Sequence, residues 1–127
     1  MQFLQRSGIA ILILITGLQF QDCSPESKKK IVYINSYHKG HPSSDEIMEG
    51  FVKNMPADSF DIYSFYMDTK RNTSAEYIEN KARVLLDSII LLNPEILIVS
   101  DDNAVKYLVE PYLNQLSMPI VFCGVNW

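Results

Sequence analysis

The chain has 127 residues, enough for one domain, with 47% hydrophobic residues and modest glycine and proline content, which excludes a disordered polymer. Its formal charge of −4 lacks the basic face that a nucleic-acid partner requires. No repeat or low-complexity tract interrupts it.

Residues 1–23 differ from the rest. Arg6 supplies a short positive segment, and Gly8 to Leu18 form an apolar block. The block is shorter than the roughly 20 residues of a membrane span and matches the apolar core of an export signal. An exported, periplasmic or cell-envelope location is expected. Cys23 stands where a lipoprotein signal places its modified cysteine, although Phe20-Gln21-Asp22 depart from the usual small residues. Lipid attachment at Cys23 is therefore expected, with an uncleaved or ordinarily cleaved signal as the alternative. Residues 24–30 read as a solvated linker.

From residue 31 the chain alternates strand and helix. Ile31 to Asn35 is almost wholly apolar, as in a strand covered on both faces. A turn with Gly40 and Pro42 follows, and Ser43-x-x-Glu46 has the form of a capping box. The helix behind it carries Ile47, Met48, Phe51, Val52 and Met55 at helical spacing and stops at Pro56. Residues 60–67 alternate apolar and polar, which reads as an edge strand. Thr73-x-x-Glu76 forms a second capping box, and Ile78, Ala82, Leu85, Ile89 and Leu92 make one buried stripe on a long helix. A third strand spans 95–100, and Asp102 or Asn103 is positioned to cap the next helix. Pro111 is expected to break or kink that helix, leaving a short piece over 112–116. The fourth strand is Ile120 to Phe122.

This alternation implies an α/β fold: a doubly wound, four-stranded parallel sheet in the order 2-1-3-4. The chain stops where a further helix is due, so residues 31–127 are expected to be part of a larger unit.

Each strand runs into a polar cluster: Asn35-Ser36-Tyr37-His38, Asp68-Thr69-Lys70-Arg71, Ser100-Asp101-Asp102-Asn103 and Cys123-Gly124-Val125-Asn126. Parallel strands bring all four to one edge, and open α/β sheets bind ligands outside the carboxyl ends of their strands. The candidate ligand contacts are Ser36, Tyr37, Asp68, Asp101, Asn103, Gly124 and Asn126. Helix amino termini aimed at that edge favour an anionic ligand group. His38 and His41 lack the further ligands of a metal site, and no glycine-rich phosphate loop is present, so neither metal nor other cofactor is expected. A receiver domain is excluded by position, because its acidic pair follows the first strand and here Asn35-Ser36 does. Cys123, with a histidine elsewhere, leaves a small cysteine-dependent hydrolase as a reading of another class.

The four clusters, together with Gly40-x-Pro42, Asn72, Ala104 and Pro119 to Trp127, resemble the amino-terminal part of an ABC-transporter substrate-binding protein family. The same domain is similar to the sensor regions of some signalling receptors. The resemblance covers residues 31–127 and implies a type I periplasmic-binding-protein-like fold, of which this chain supplies part of the first, flavodoxin-like lobe. It implies a small-molecule ligand, amino-acid-like or otherwise small and polar, and a permease as partner, or alternatively ligand sensing.

Overall fold

A computed structural model describes residues 27–126. The expectations of an export signal over 1–23 and of lipid at Cys23 lie outside the described residues. Among the described residues no helix is long and apolar enough to cross a membrane.

Four strands form one sheet: β1 (Lys29–Asn35), β2 (Phe60–Tyr66), β3 (Ile96–Ser100) and β4 (Ile120–Cys123). Every pairing is parallel and the spatial order is β2-β1-β3-β4. The doubly wound α/β arrangement expected from the alternation is thus present. β1 starts two residues early, so Lys29 and Lys30 belong to the sheet and not to a linker. β1 and β3 lie inside the sheet and are apolar because both faces are covered. β2 is an edge strand whose residues alternate and stay half-buried.

Helix α1 (Pro42–Asn54) covers one face. Its Ile47, Met48, Phe51 and Met55 pack against Ile31, Tyr33 and Ile98, and the Phe51 ring meets the Tyr33 ring edge-on at 5.2 Å. Helix α2 (Ala75–Leu92) covers the other face, with Ile78, Ala82, Leu85, Leu86 and Ile89 buried against Val32, Ile34, Leu97 and Val99.

Three local expectations are corrected. The Ser43-x-x-Glu46 box does not form. Helix α1 begins two residues earlier, at Pro42 with His41 as its N-cap; the fixed φ and missing N–H of proline suit a first helical position. Asp45 is instead turned back to accept from the Gly40 N–H at 3.0 Å. At α2 the cap is Ser74 and not Thr73: the Ser74 Oγ accepts from the Tyr77 N–H. Its far end closes on Asn93 in the left-handed region, φ 45°.

The third correction concerns Pro111. The helix after β3 is not broken there. It runs as α3 (Asp102–Ala104), a π-helical turn (Val105–Val109), α4 (Glu110–Tyr112) and a 3-10 turn (Leu113–Gln115). Pro111 has no N–H to return to the preceding turn, and the wider turn just before it, closed by Glu110 N–H to Val105 O, lets the chain continue. Leu108 and Val109 stay buried beside α2.

Candidate functional site

The carboxyl ends of the four strands meet on one rim, laced by backbone hydrogen bonds. The Met67 N–H reaches Asn35 O, Asp68 N–H reaches Tyr37 O and Thr69 N–H reaches Ser36 O, tying the β2 tip to the β1 tip. Ser36 N–H donates to Ser100 O, and Asp101 N–H donates to Cys123 O, carrying the lacing across β3 to β4. Gly124 sits beside Asp101: a Cβ at position 124 would lie 3.4 Å from Asp101 Oδ1.

Below the rim is a buried polar network that the sequence reading did not single out. Asn35, fully buried, donates from Nδ2 to the Tyr33 hydroxyl at 2.6 Å. Its Oδ1 accepts from the Tyr37 N–H at 2.7 Å and from Ser44 Oγ at 2.9 Å. The Tyr33 hydroxyl in turn meets Ser100 Oγ at 3.0 Å, and Ser100 Oγ donates to Asp101 Oδ2 at 3.3 Å. One asparagine therefore joins β1, the loop after it and α1, while Tyr33 and Ser100 extend the chain to the Asp101 carboxylate. Buried polar groups of this kind are stable only when each finds a partner, and here each does.

Several residues expected to touch a ligand are occupied with the chain itself. Ser36 is fully buried; its hydroxyl donates to Ser100 O and accepts from the Ala104 N–H at 2.8 Å. It thereby caps the helix after β3, in place of Asp102 or Asn103. Asn103 Nδ2 donates to Thr69 Oγ1, which donates to Ser36 O. Asp68, at φ 58°, accepts from Arg71 Nε at 2.7 Å and from Asn72 Nδ2 at 3.1 Å, so it shapes its own loop. The Asn126 N–H donates to Asp102 Oδ1 and latches the tail after β4 to the helix.

Tyr37 and Asp101 are what the rim presents at its centre. Tyr37 is half-buried, with Lys70 Nζ 4.7 Å from its ring centroid and the His41 ring at 4.6 Å. The Asp101 carboxylate adjoins the Tyr37 hydroxyl, with Asp102 and His41 nearby. Burial pushes the Asp101 carboxyl above the ordinary carboxylate range and Asp102 adds to the rise, against the Ser100 and Tyr37 hydroxyls and His41. Asp101 also holds an unusual backbone, φ 68° and ψ 162°, a region that glycine normally fills. His38 sits at the side, its buried Nδ1 without a hydrogen bond and 3.6 Å from Asp68 Oδ1. A shallow depression of about 260 Å³, lined by Asp102, Val105, Lys106, Glu110, Val125 and Asn126, borders the rim.

No group of three or more His, Cys, Asp or Glu side chains that could hold a metal occurs among the described residues. Cys123 is half-buried and its thiol rests 3.7 Å from Val99 O. Burial and the nearby Asp101 push that thiol up, away from the thiolate a nucleophile requires. Sequence alone gave no signal for the roles of Tyr33, Asn35, Ser44 and Thr69, because their partners lie 2 to 67 residues away. Comparison of the chain with protein-family models, curated proteins and solved structures finds no match.

Proposed function

We propose that this chain binds a small polar solute outside the cytoplasm, as the substrate-binding component of an ABC transporter, over the carboxyl rim of its sheet. The observation that carries the reading is the gathering of four strand tips on one edge around Tyr37 and Asp101. Open parallel sheets place ligands at that edge because successive loops converge there while the opposite edge carries only the connections back. The strained backbone of Asp101 supports the same reading. A residue held in a sparsely populated conformation is kept there by its surroundings, and such residues concentrate where ligands are clamped.

The rim is built on short hydrogen bonds between rigid elements, which suits recognition of a small molecule without reordering of loops. Tyr37 supplies an amphipathic wall and Asp101 a polar anchor. Titration calorimetry of the full chain against a panel of amino acids, amines, short carboxylates and sugars tests the reading. Saturable one-to-one binding, weakened at least tenfold by both Tyr37→Ala and Asp101→Asn, is expected. Absence of any saturable binder, or binding indifferent to both substitutions, overturns it.

A further inference from the structure

Among the described residues the rim carries one buried carboxylate that no cation of the chain neutralises. Asp101 is only 8% exposed, yet among the described residues no Lys, Arg or His nitrogen approaches its carboxylate within ion-pair distance. Its hydrogen-bond partner is the Ser100 hydroxyl, on Oδ2 at 3.3 Å, and the Tyr37 hydroxyl lies nearby. His41 acts on it favourably from farther away and Asp102 unfavourably. A buried carboxylate without a cation is costly, and the cost falls when a positive group arrives.

The other carboxylates of the rim are exposed to water or ion-paired. Asp68 holds Arg71 and Asn72, Asp45 holds the Gly40 N–H and Asp102 holds the Asn126 N–H. On the basic side, Arg71 is taken by Asp68, and Lys70 lies over the Tyr37 ring.

At two of the helix amino termini, expected to attract an anionic ligand group, one N–H is already met within the chain, and at the third an acidic side chain lies close by. Ser36 fills the Ala104 N–H, Ser74 fills the Tyr77 N–H, and Asp45 lies in the first turn of α1. At Asp101 the unmet demand is thus for positive charge. Gly124 keeps side-chain atoms away from Oδ1: a Cβ there would stand in contact with that oxygen, and any longer side chain would crowd it.

We propose that the rim selects solutes carrying a primary ammonium group, which seats on the Asp101 carboxylate beside Gly124. The inference rests on the solute-binding reading and narrows it to a ligand class. A compact ammonium offers three donors to a carboxylate.

The test uses the full chain and two matched probes, n-butylammonium chloride and sodium butyrate, at equal ionic strength, followed by amide chemical shifts of Ser100, Asp101 and Gly124. The expected result is a saturable shift with butylammonium alone. Asp101→Asn should weaken it at least tenfold, and Asp102→Asn should leave it within about threefold. Amide dispersion of each variant reports folding independently of binding. Saturation by butyrate at the same amides, or butylammonium binding that survives Asp101→Asn, overturns the ammonium assignment. If a sugar or a carboxylate from the wider panel saturates the rim while butylammonium does not, solute binding stands and the ammonium class falls. If no probe saturates, both fall.

Discussion

The hydroxyl of Ser36, at the end of β1, caps the helix that follows β3 by accepting from the Ala104 N–H at 2.8 Å. The same hydroxyl donates to Ser100 O at 2.9 Å, so a single buried oxygen welds two strand tips and a helix start. Ser36→Ala removes the cap and leaves the Ala104 N–H and the Ser100 carbonyl short of a buried partner. A loss of about 2 kcal/mol in unfolding free energy is expected from cap loss and stranded polar groups together. Urea unfolding followed by circular dichroism measures it; a loss under about 0.5 kcal/mol, the range of ordinary surface changes, would contradict the assigned role.

Tyr33 is the central member of the buried network, and its hydroxyl touches both Asn35 Nδ2 and Ser100 Oγ. Tyr33→Phe keeps the ring packed on Phe51 while deleting that oxygen. The expected cost is about 1–3 kcal/mol, because Asn35 then carries an unpaired buried donor. Asn35→Ala in the Tyr33→Phe background should cost less than in the wild type, since both substitutions act on the same bond. A double-mutant cycle reads the difference, and strict additivity would argue against the network.

Asp101 gives the protein a pH dependence whose sign follows from its environment. Burial raises its carboxyl in the folded state, with Asp102 acting the same way. The unfolded chain returns the group to its ordinary value, so the folded state holds the proton more tightly. That contribution to stability is complete below the ordinary aspartate value of about 3.9 and is lost as the pH rises through the raised folded value. Asp101→Asn cannot titrate. Wild type should therefore lose stability relative to Asp101→Asn as the pH rises above about 3.9. Parallel stability curves for the two proteins would refute the assignment.

The outer edge of β4 has no neighbour in the sheet among the described residues, and Val121 on that strand is 49% exposed. No charge or proline lies within Ile120–Cys123 to discourage pairing with another chain. Val121→Lys should lower concentration-dependent light scattering while changing unfolding free energy by no more than about 0.5 kcal/mol. Unchanged scattering would show that self-association does not start at this strand.

Sheet order and strand direction were readable from periodicity because the forces that set them are repeated along the chain. Val32, Ile34, Leu97 and Val99 are apolar for the same reason, burial against α2, and the Ile78 to Ile89 stripe answers them. Helix starts were less readable. Ser43 and Thr73 stand in similar local sequence, yet Pro42 draws the first start forward while Ser74 caps the second. The gathering of the strand tips on one edge was legible, but the hydrogen bonds among them were not. Ser36 and Asn103 look like free polar groups in sequence, and only their partners at Ala104, Ser100 and Thr69 reveal them as fasteners. The Pro111 segment escaped because one π turn absorbs a proline without any local sequence sign.

The Ser36–Ala104 weld also constrains how the molecule responds to a guest. The loop after β1 and the helix after β3 share one buried oxygen, so neither swings without dragging the other. On the proposed solute-binding reading, a guest at the rim would therefore move the whole wedge together, and binding kinetics would lack a slow loop-folding phase.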